Sequence, residues 1–539
     1  MKIFTLILSL ITSGLARKKH PPQPQTWELS SDSEFTCPDY SYYAYQKHPP
    51  FSSGKYQLPY QRPTPACRKF NVSEVEDTIS EMKQIVKDPD LFRLFENCFP
   101  NTLDTAIAWK GVAAKGHEDR EQLTFITTGD IPALWLRDSA NQLLSYLSLL
   151  RPSSSPSSLA SLYRGLINLQ ARYILSSPHC NAFHAPPESG IPPSPPPETT
   201  DYVHPTPDPS TVFECKYELD SLASFLLLSA SYHSATNDTL FFSRSHSWVR
   251  AVDLILNITT ALQAGTYHED GSVAFSPYQF QRSTSTASET LGNAGAGNPV
   301  RNGTGMVRSA FRPSDDACLF QLFVPGNMMF AVGLERVAEG IIGRVEGGGG
   351  GGGGEKSERG RKMREMARGV RRGVERFGRA EHWIHGRVYA YEVDGFGGHV
   401  LMDDANIPSL LSAPLFGYVD RDDPIYQNTR RFVLSRENPY YMVGPLLNGT
   451  GGPHVGPGMA WPMSLIVQIM TSDDDAEIVN CLRQILSSTD GLGLIHESIS
   501  SKSASIWTRQ WFSWTNGLFG QMMLDLRDRK PHLLELSYQ

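Results

Sequence analysis

Residues 127–143 read TTGDIPALWLRDSANQL, an apolar run, Ile131 to Leu136, with two ionised side chains, Arg137 and Asp138, directly behind it. Burying unpaired charge costs several kcal/mol or shifts a pKa, so a segment needing only a buried end has no use for this pair. Either the pair satisfies itself or it awaits a polar ligand. Four other stretches break apolar sequence in the same way: FRPSDDAC (311–318), LMDDANIPSLL (401–411), NGTGGPHVGPGMAWP (448–462) and HESISSKSASIWTRQWFSW (496–514). They are dispersed through the chain. One helical toroid delivering every cluster to a common end explains that dispersion, and separate domains do not.

Helical periodicity supports such a body. Val75, Ile79, Met82 and Val86 share a face, as do Leu219, Leu222 and Leu226, Leu334, Val337 and Ile341, and Ile478, Leu482 and Ile485. Pro408 and Pro462 are read as first-turn prolines of further helices. The best strand candidate is GRVYAYEV at 386–393. The body is expected over 71–539, behind an extended, Pro- and Tyr-rich segment at 17–70. Two loop insertions stand out: a polyproline-like loop at 185–209, and a Gly-rich flexible insertion at 343–372 that holds a glycine octet, 347–354, with a basic sequel read as a solvated helix.

With 40% apolar and 19% charged residues the 539-residue chain is globular, and a net charge of −7 lacks the basic excess of a nucleic-acid partner. Residues 1–16 have the pattern of a cleaved secretory signal, too short in its apolar part to cross about 30 Å of hydrocarbon. Sequons at Asn71, Asn237, Asn257, Asn302 and Asn448 agree with a secreted or lumenal glycoprotein that has no membrane partner once the signal is removed. Seven cysteines permit disulfides there and leave at least one thiol unpaired; without a Cys-x-x-Cys pair there is no zinc ribbon.

Asp315 and Asp316 read first as a helix N-terminus capped by Ser314, although a carboxyl crowded by a second one also has a raised pKa and can donate a proton. Asp403 and Asp404, followed by Asn406 and Pro408, carry the same ambiguity. Calcium ligation lacks its Asp-x-Asp-x-Asp-Gly loop, and His496-Glu497 lacks the second histidine of a zinc motif. Glu497 is therefore a candidate base without metal. Trp507, Arg509, Trp511 and Trp514 follow it, and indoles stack on sugar faces while Arg and acids take hydroxyls. Nucleophile elbow, dinucleotide and Walker patterns are absent. Carboxylates, aromatics and arginines suit glycoside hydrolysis, which needs two carboxylates and a sugar pocket.

Together TGDIPALWLRDSANQ, FRPSDDAC, LMDDANIPSLL, SRENPYY (435–441), GPHVGPGMAWPMSL and HES with TRQWFSWTNGLFG resemble glycoside hydrolase family 125, the metal-independent exo-α-1,6-mannosidases, from about Asn71 to the C-terminus. The resemblance implies an all-α (α/α)6 barrel, an inverting mechanism, a mannose-containing oligosaccharide as substrate, and no metal or cofactor. It places the general acid at Asp315, with Asp316 as the alternative, and the general base at Glu497, 182 positions away, with Glu437 as the alternative base. Arg137 and Asp138 line the subsite for the terminal mannose, paired to each other and to sugar hydroxyls; Trp135, Asp403, Asp404, Asn406, His454, Trp461, Arg509 and Trp511 are the further contacts. Three rivals are a mannose-binding protein without turnover, a toroid glycosidase of other linkage and a calcium-dependent mannosidase.

Overall fold

The computed structural model describes residues 36–113, 121–195, 200–346 and 357–539. The expected signal (1–16), the glycine octet (347–354) and residues 196–199 of the Pro-rich loop lie outside them. Asp39–Gln539 forms one compact unit.

Its frame is a ring of helices. Leu136–Leu144 packs on Leu219–Thr236, which packs on Val324–Val337; Pro462–Met470 packs on Ser513–Arg529, which returns to Leu136–Leu144. Helix Leu219–Thr236 is buried on nearly every side, as its almost unbroken LDSLASFLLLSA run requires of an inner member. Between Val324–Val337 and Pro462–Met470 the chain passes through turns at 405–418, tied to the ring where Arg336 donates to Phe416 O (2.8 Å).

A second set of helices backs the first: Pro89–Cys98, Leu159–Ser176, Glu358–Phe377 and Asp475–Ser487 each pack on an inner member or its neighbour. Capping fixes their starts. Asp88 accepts from Asp90 N and Leu91 N ahead of Pro89, and Asp474 accepts from Ala476 N and Glu477 N. The basic sequel to the glycines is helix Glu358–Phe377; Met363, Ala367, Val370 and Val374 are buried along one face, so it joins the core instead of lying wholly in solvent.

One local expectation fails and two are refined. Pro408 begins no helix: Ser409 N and Ser412 N donate to each other's hydroxyls (2.8 and 3.1 Å), and Asp403 accepts from Leu410 N and Leu411 N (2.8 and 3.0 Å). Those side chains satisfy amides that a helix would leave open, and the backbone turns instead. The stretch 386–393 divides into strands Gly386–Tyr389, paired with Arg379–His382, and Glu392–Val393, which lies between His399–Val400 and Leu322–Phe323. The Pro-rich loop contains strand Tyr202–His204, paired with Gln279–Gln281.

Within 39–70, helices are confined to Tyr40–Tyr43 and Pro65–Cys67, yet the segment is docked ahead of the compositional change near Asn71. Gln61 is fully buried and donates to Gln46 O and Leu492 O, while Arg62 pairs with Asp104 (2.7 Å) and Glu76 (2.6 Å). Cys180 and Cys215 form a disulfide, and Cys37 and Cys67 are disulfide-bonded. Cys98, Cys318 and Cys481 are buried free thiols.

Candidate active site

The clusters meet because each one precedes an inner helix or the 405–418 turns. Short strands Leu134–Trp135, Leu322–Phe323 and Met459–Ala460 run straight into helices that start at Leu136, Val324 and Pro462. The hairpin Ile499–Ser500/Ser503–Trp507 precedes Ser513–Arg529. N-terminal helix ends carry partial positive charge and unpaired amides, a favourable environment for converging carboxylates.

Arg137 pairs with Asp138 as expected, and with two further acids. Its Nη1 donates to Glu218 Oε2 (2.7 Å) and Asp220 Oδ2 (3.2 Å), while Nη2 stands 3.3 Å from Asp138 Oδ2. All four groups are buried, and Asp138 Oδ2 has no hydrogen-bond partner. Burial opposes the charge on Arg137, but Glu218, Asp138, Asp220 and Asp315 outweigh it and keep the guanidinium protonated. Asp138 therefore faces the Arg137 charge with one oxygen that takes part in no hydrogen bond among the described residues. Glu218, Asp220 and Lys216 were not singled out from the sequence. The signal was there in ECKYELDS (214–221), acids at the start of an apolar helix, the same pattern as WLRDS.

Asp315 and Asp316 do not start a helix. Arg312 N donates to Asp316 O (2.8 Å) and Asp315 N to Arg312 O (2.9 Å), closing a tight turn between bridge partners Phe311 and Ala317. Asp315 sits there at φ +65°, a left-handed conformation uncommon outside glycine, of the kind that gathers at functional sites. Ser314 caps nothing; its hydroxyl donates to Asp404 (2.7 Å) and Asp316 (3.2 Å). The two acids face different surroundings. Asp315 accepts from Asn181 Nδ2 (3.3 Å) and lies in the field of Lys216 and Arg137; Asp316 lies near Asp404 and Arg312. Arg312 is anchored by buried Glu392 (2.5 Å), another residue missed in the sequence, where it read as part of a strand.

Burial alone would raise Asp315, but Lys216, Arg137 and a hydrogen bond with Glu218 hold it at about 2. A raised pKa appears on Asp316, lifted to about 6 mainly by burial and further by the charge of Asp404, and on Glu218, lifted by burial and by Asp315. Asp403 is spent on Leu410 N and Leu411 N, and Asp404 on Ser314 and Asn406 N (3.0 Å), so both hold the loop; Asn406 packs its amide toward Asp404 (3.4 Å). His454 is exposed, and its charge bears on Asp315 and Asp316.

On the other flank, Glu497 accepts from Thr508 Oγ1 (2.8 Å) and lies 3.5 Å from Arg509 Nη1, whose Nε is 3.5 Å from Asp130. His496 sets this hairpin: its Nδ1 donates to Arg509 O (2.7 Å) and its ring stacks on Trp507 at 4.6 Å. Burial drops His496 to about 4, so it is neutral. Asp315 and Glu497 both act electrostatically on Asp138 and on Arg509, and these four line one patch. Trp135, Trp461 and Trp511 are buried with unpartnered indole N–H groups. Gly129, at φ +127°, lies under Trp511, where a Cβ would stand 3.2 Å from the indole. Glu437 lies elsewhere, with its charge felt by His385. A cavity of about 1280 Å³ lined by Arg164, Asn168, Asp238 and Arg250 contains none of these groups.

The buried acids fix a pH dependence of stability. Burial raises Asp138, Asp220 and Asp316 to about 6 and Asp403 to about 8. Unfolded carboxyls titrate near 4, so between about pH 4 and 8 these acids hold more protons folded than unfolded and withdraw stability as pH rises, while His179 and His496, lowered to about 4 by burial, act in the opposite direction up to about pH 6.5. Above the histidine range the acids act alone, so the thermal midpoint is expected to fall from about pH 7 to about pH 8, with Asp403 the main cause; a midpoint that climbs across this interval would show that Asp403 is ionised when folded.

A helical ring that gathers acids, arginines and indoles ahead of its inner helices is the layout of a toroid glycoside hydrolase. The chain belongs to glycoside hydrolase family 125, the metal-independent alpha-mannosidases, whose sequence profile matches residues 88–524. It is 46% identical over 501 residues to the meiotically up-regulated gene 157 protein of Schizosaccharomyces pombe (93% of this chain, 94% of that one). It is 33% identical to a Streptococcus pneumoniae metal-independent alpha mannosidase solved with α-1,6-mannobiose in a non-productive complex, with a TM-score of 0.72 over 86% of this chain and all of that one.

Proposed function

We propose that this α-mannosidase is exo-acting and inverting, and that it releases terminal α-1,6-linked mannose from mannan or N-glycan-type oligosaccharides. The observation that carries the reading is the patch in which Asp315 and Glu497 bear on the same Asp138 and Arg509. Asp138, with its open acceptor, takes hydroxyls of the terminal mannose. Asp315, and not Asp316, delivers the proton to the glycosidic oxygen, because Asp315 is the one that faces this patch. Glu497, held by Thr508 and Arg509, draws the proton from a water that attacks C1. Inversion needs about 6.5 to 9.5 Å between the two carboxyls for that water. The α-1,6 linkage is supported by the likeness to the pneumococcal protein, whose solved complex contains that disaccharide.

A secreted or lumenal glycoprotein belongs to the same reading. The Cys180–Cys215 disulfide fits an oxidising compartment, Asn71, Asn237, Asn257 and Asn302 are exposed, and among the described residues no helix is long and apolar enough to cross a membrane.

Proton NMR of the protein with α-1,6-mannobiose and a chelator tests this. β-Mannose is expected as the first product. Early α-mannose would overturn inversion, loss of turnover on chelation would overturn metal independence, and binding without any hydrolysis would leave a sugar-binding protein.

A further inference from the structure

The reading above leaves Asp315 short of a proton. An acid catalyst must carry one, yet this carboxyl sits between Lys216 and Arg137, which favour its ionised form. Glu218 stands next to it with the opposite bias. Of its two oxygens, Oε2 is fully engaged, accepting from Arg137 Nη1 (2.7 Å) and Ser221 Oγ (3.0 Å). Its Oε1 receives a long contact from Asn181 Nδ2 (3.2 Å), and the same amide nitrogen reaches Asp315 Oδ1 at 3.3 Å and, on the Lys216-paired Glu214, Oε2 at 3.4 Å. Two carboxyls that converge on one N–H donor in a fully buried place cannot both be ionised without strong repulsion, and one proton between them removes it. The groups that face Glu218 are Arg137, Asp220, Asp315, Asn181, Ser221 and Tyr278, and the one cation among them already binds the Oε2 side.

We propose that Glu218 is the proton reservoir of the acid: its Oε1 holds the proton at rest, and passes it to Asp315 as Asp315 protonates the leaving oxygen. This rests on the reading of Asp315 as the acid. The relay balances. The C1–O bond breaks with its electron pair on oxygen, that oxygen takes a proton from Asp315, and Asp315 takes one from Glu218. Glu218 is left as a carboxylate against Arg137 and Ser221, the two donors already in place to stabilise it, and its repulsion with the ionised Asp315 lasts only until the pair regains one proton. The proton that Glu497 removes from water returns through solvent to recharge the pair. Glu218 touches no reacting atom and acts through Asp315, so it is a positioning residue.

Glu218→Gln tests this, because the amide can keep the contacts to Arg137, Ser221 and Asp315 while supplying no proton. On α-1,6-mannobiose kcat is expected to fall about 100-fold or more, with KM within about threefold. On 2,4-dinitrophenyl α-mannoside, whose leaving group needs no protonation, kcat is expected to fall less than about fivefold. Equal losses on both substrates, or none on either, would overturn the reservoir. If the variant does not fold, the wild type still decides: rates in H2O–D2O mixtures are expected to curve for mannobiose more than for the aryl mannoside, and identical dependence would overturn the relay. A wild type that cleaves neither substrate would fail at the earlier step, the reading of the site itself.

Discussion

Glu497→Gln is expected to lower kcat on α-1,6-mannobiose by about 10³-fold while the substrate still binds within a fewfold of its wild-type affinity. The glutamine keeps an acceptor for Thr508 Oγ1 and loses the charge that faces Arg509 Nη1 at 3.5 Å. On the proposed reading what disappears is the base that takes a proton from water; Asp130 lies across Arg509, and Asp138 is buried against Arg137. Asp315→Asn is expected to cost a similar factor on mannobiose and far less on 2,4-dinitrophenyl α-mannoside, since only the acid's role depends on the leaving group. The two variants therefore separate by substrate, which assigns the roles as well as the residues. Glu437→Gln is the control, and its rate is expected to match wild type. A Glu497→Gln enzyme with more than about a tenth of wild-type kcat would remove Glu497 from the chemistry.

The sequence made the site legible where charge interrupts an apolar run, and less so where a pattern has an ordinary structural meaning. Arg137, Asp138, Asp315, Glu497 and Arg509 stand out in WLRDS, RPSDDA and HES…TRQ, and the fold brings them to one patch. Glu218 and Asp220 did not stand out, because Leu219, Leu222 and Leu226 already explained their segment as a helix face; the same residues start that helix and hold Arg137. Asp403 and Asp404 have a structural role that their spacing does not reveal. They look like ligand acids, but their oxygens are filled by backbone amides and by Ser314, a contact 90 positions away that spacing alone cannot reveal. The apparent helix start at Pro408 failed because side-chain hydrogen bonds offered the backbone a turn, and the one at Ser314 because backbone bonds between Arg312, Asp315 and Asp316 closed a tight turn.

Arg137→Met is expected to destabilise the fold by about 3 to 5 kcal/mol, the usual cost of stripping a buried ion network of its partner. The methionine fills much of the same space, so the loss is electrostatic and not a cavity. Glu218, Asp220 and Asp138, at 2.7, 3.2 and 3.3 Å from the guanidinium, would be left buried beside Asp315, with Lys216 acting on Asp315 and Arg509 on Asp138 and Asp315. They can relieve the repulsion by taking protons, which sets the sign of the pH dependence. Without Arg137 their pKa values rise further, so the variant loses more stability relative to wild type at pH 8 than at pH 5. Arg137→Lys is expected to recover only part of the loss, because a single ammonium cannot engage three carboxyls as a planar fork does. Urea midpoints of the three proteins at both pH values measure this. Equal stability of Arg137→Met and wild type at pH 8 would mean that the carboxyls need no counter-charge, and that Arg137 is held there for the sugar alone.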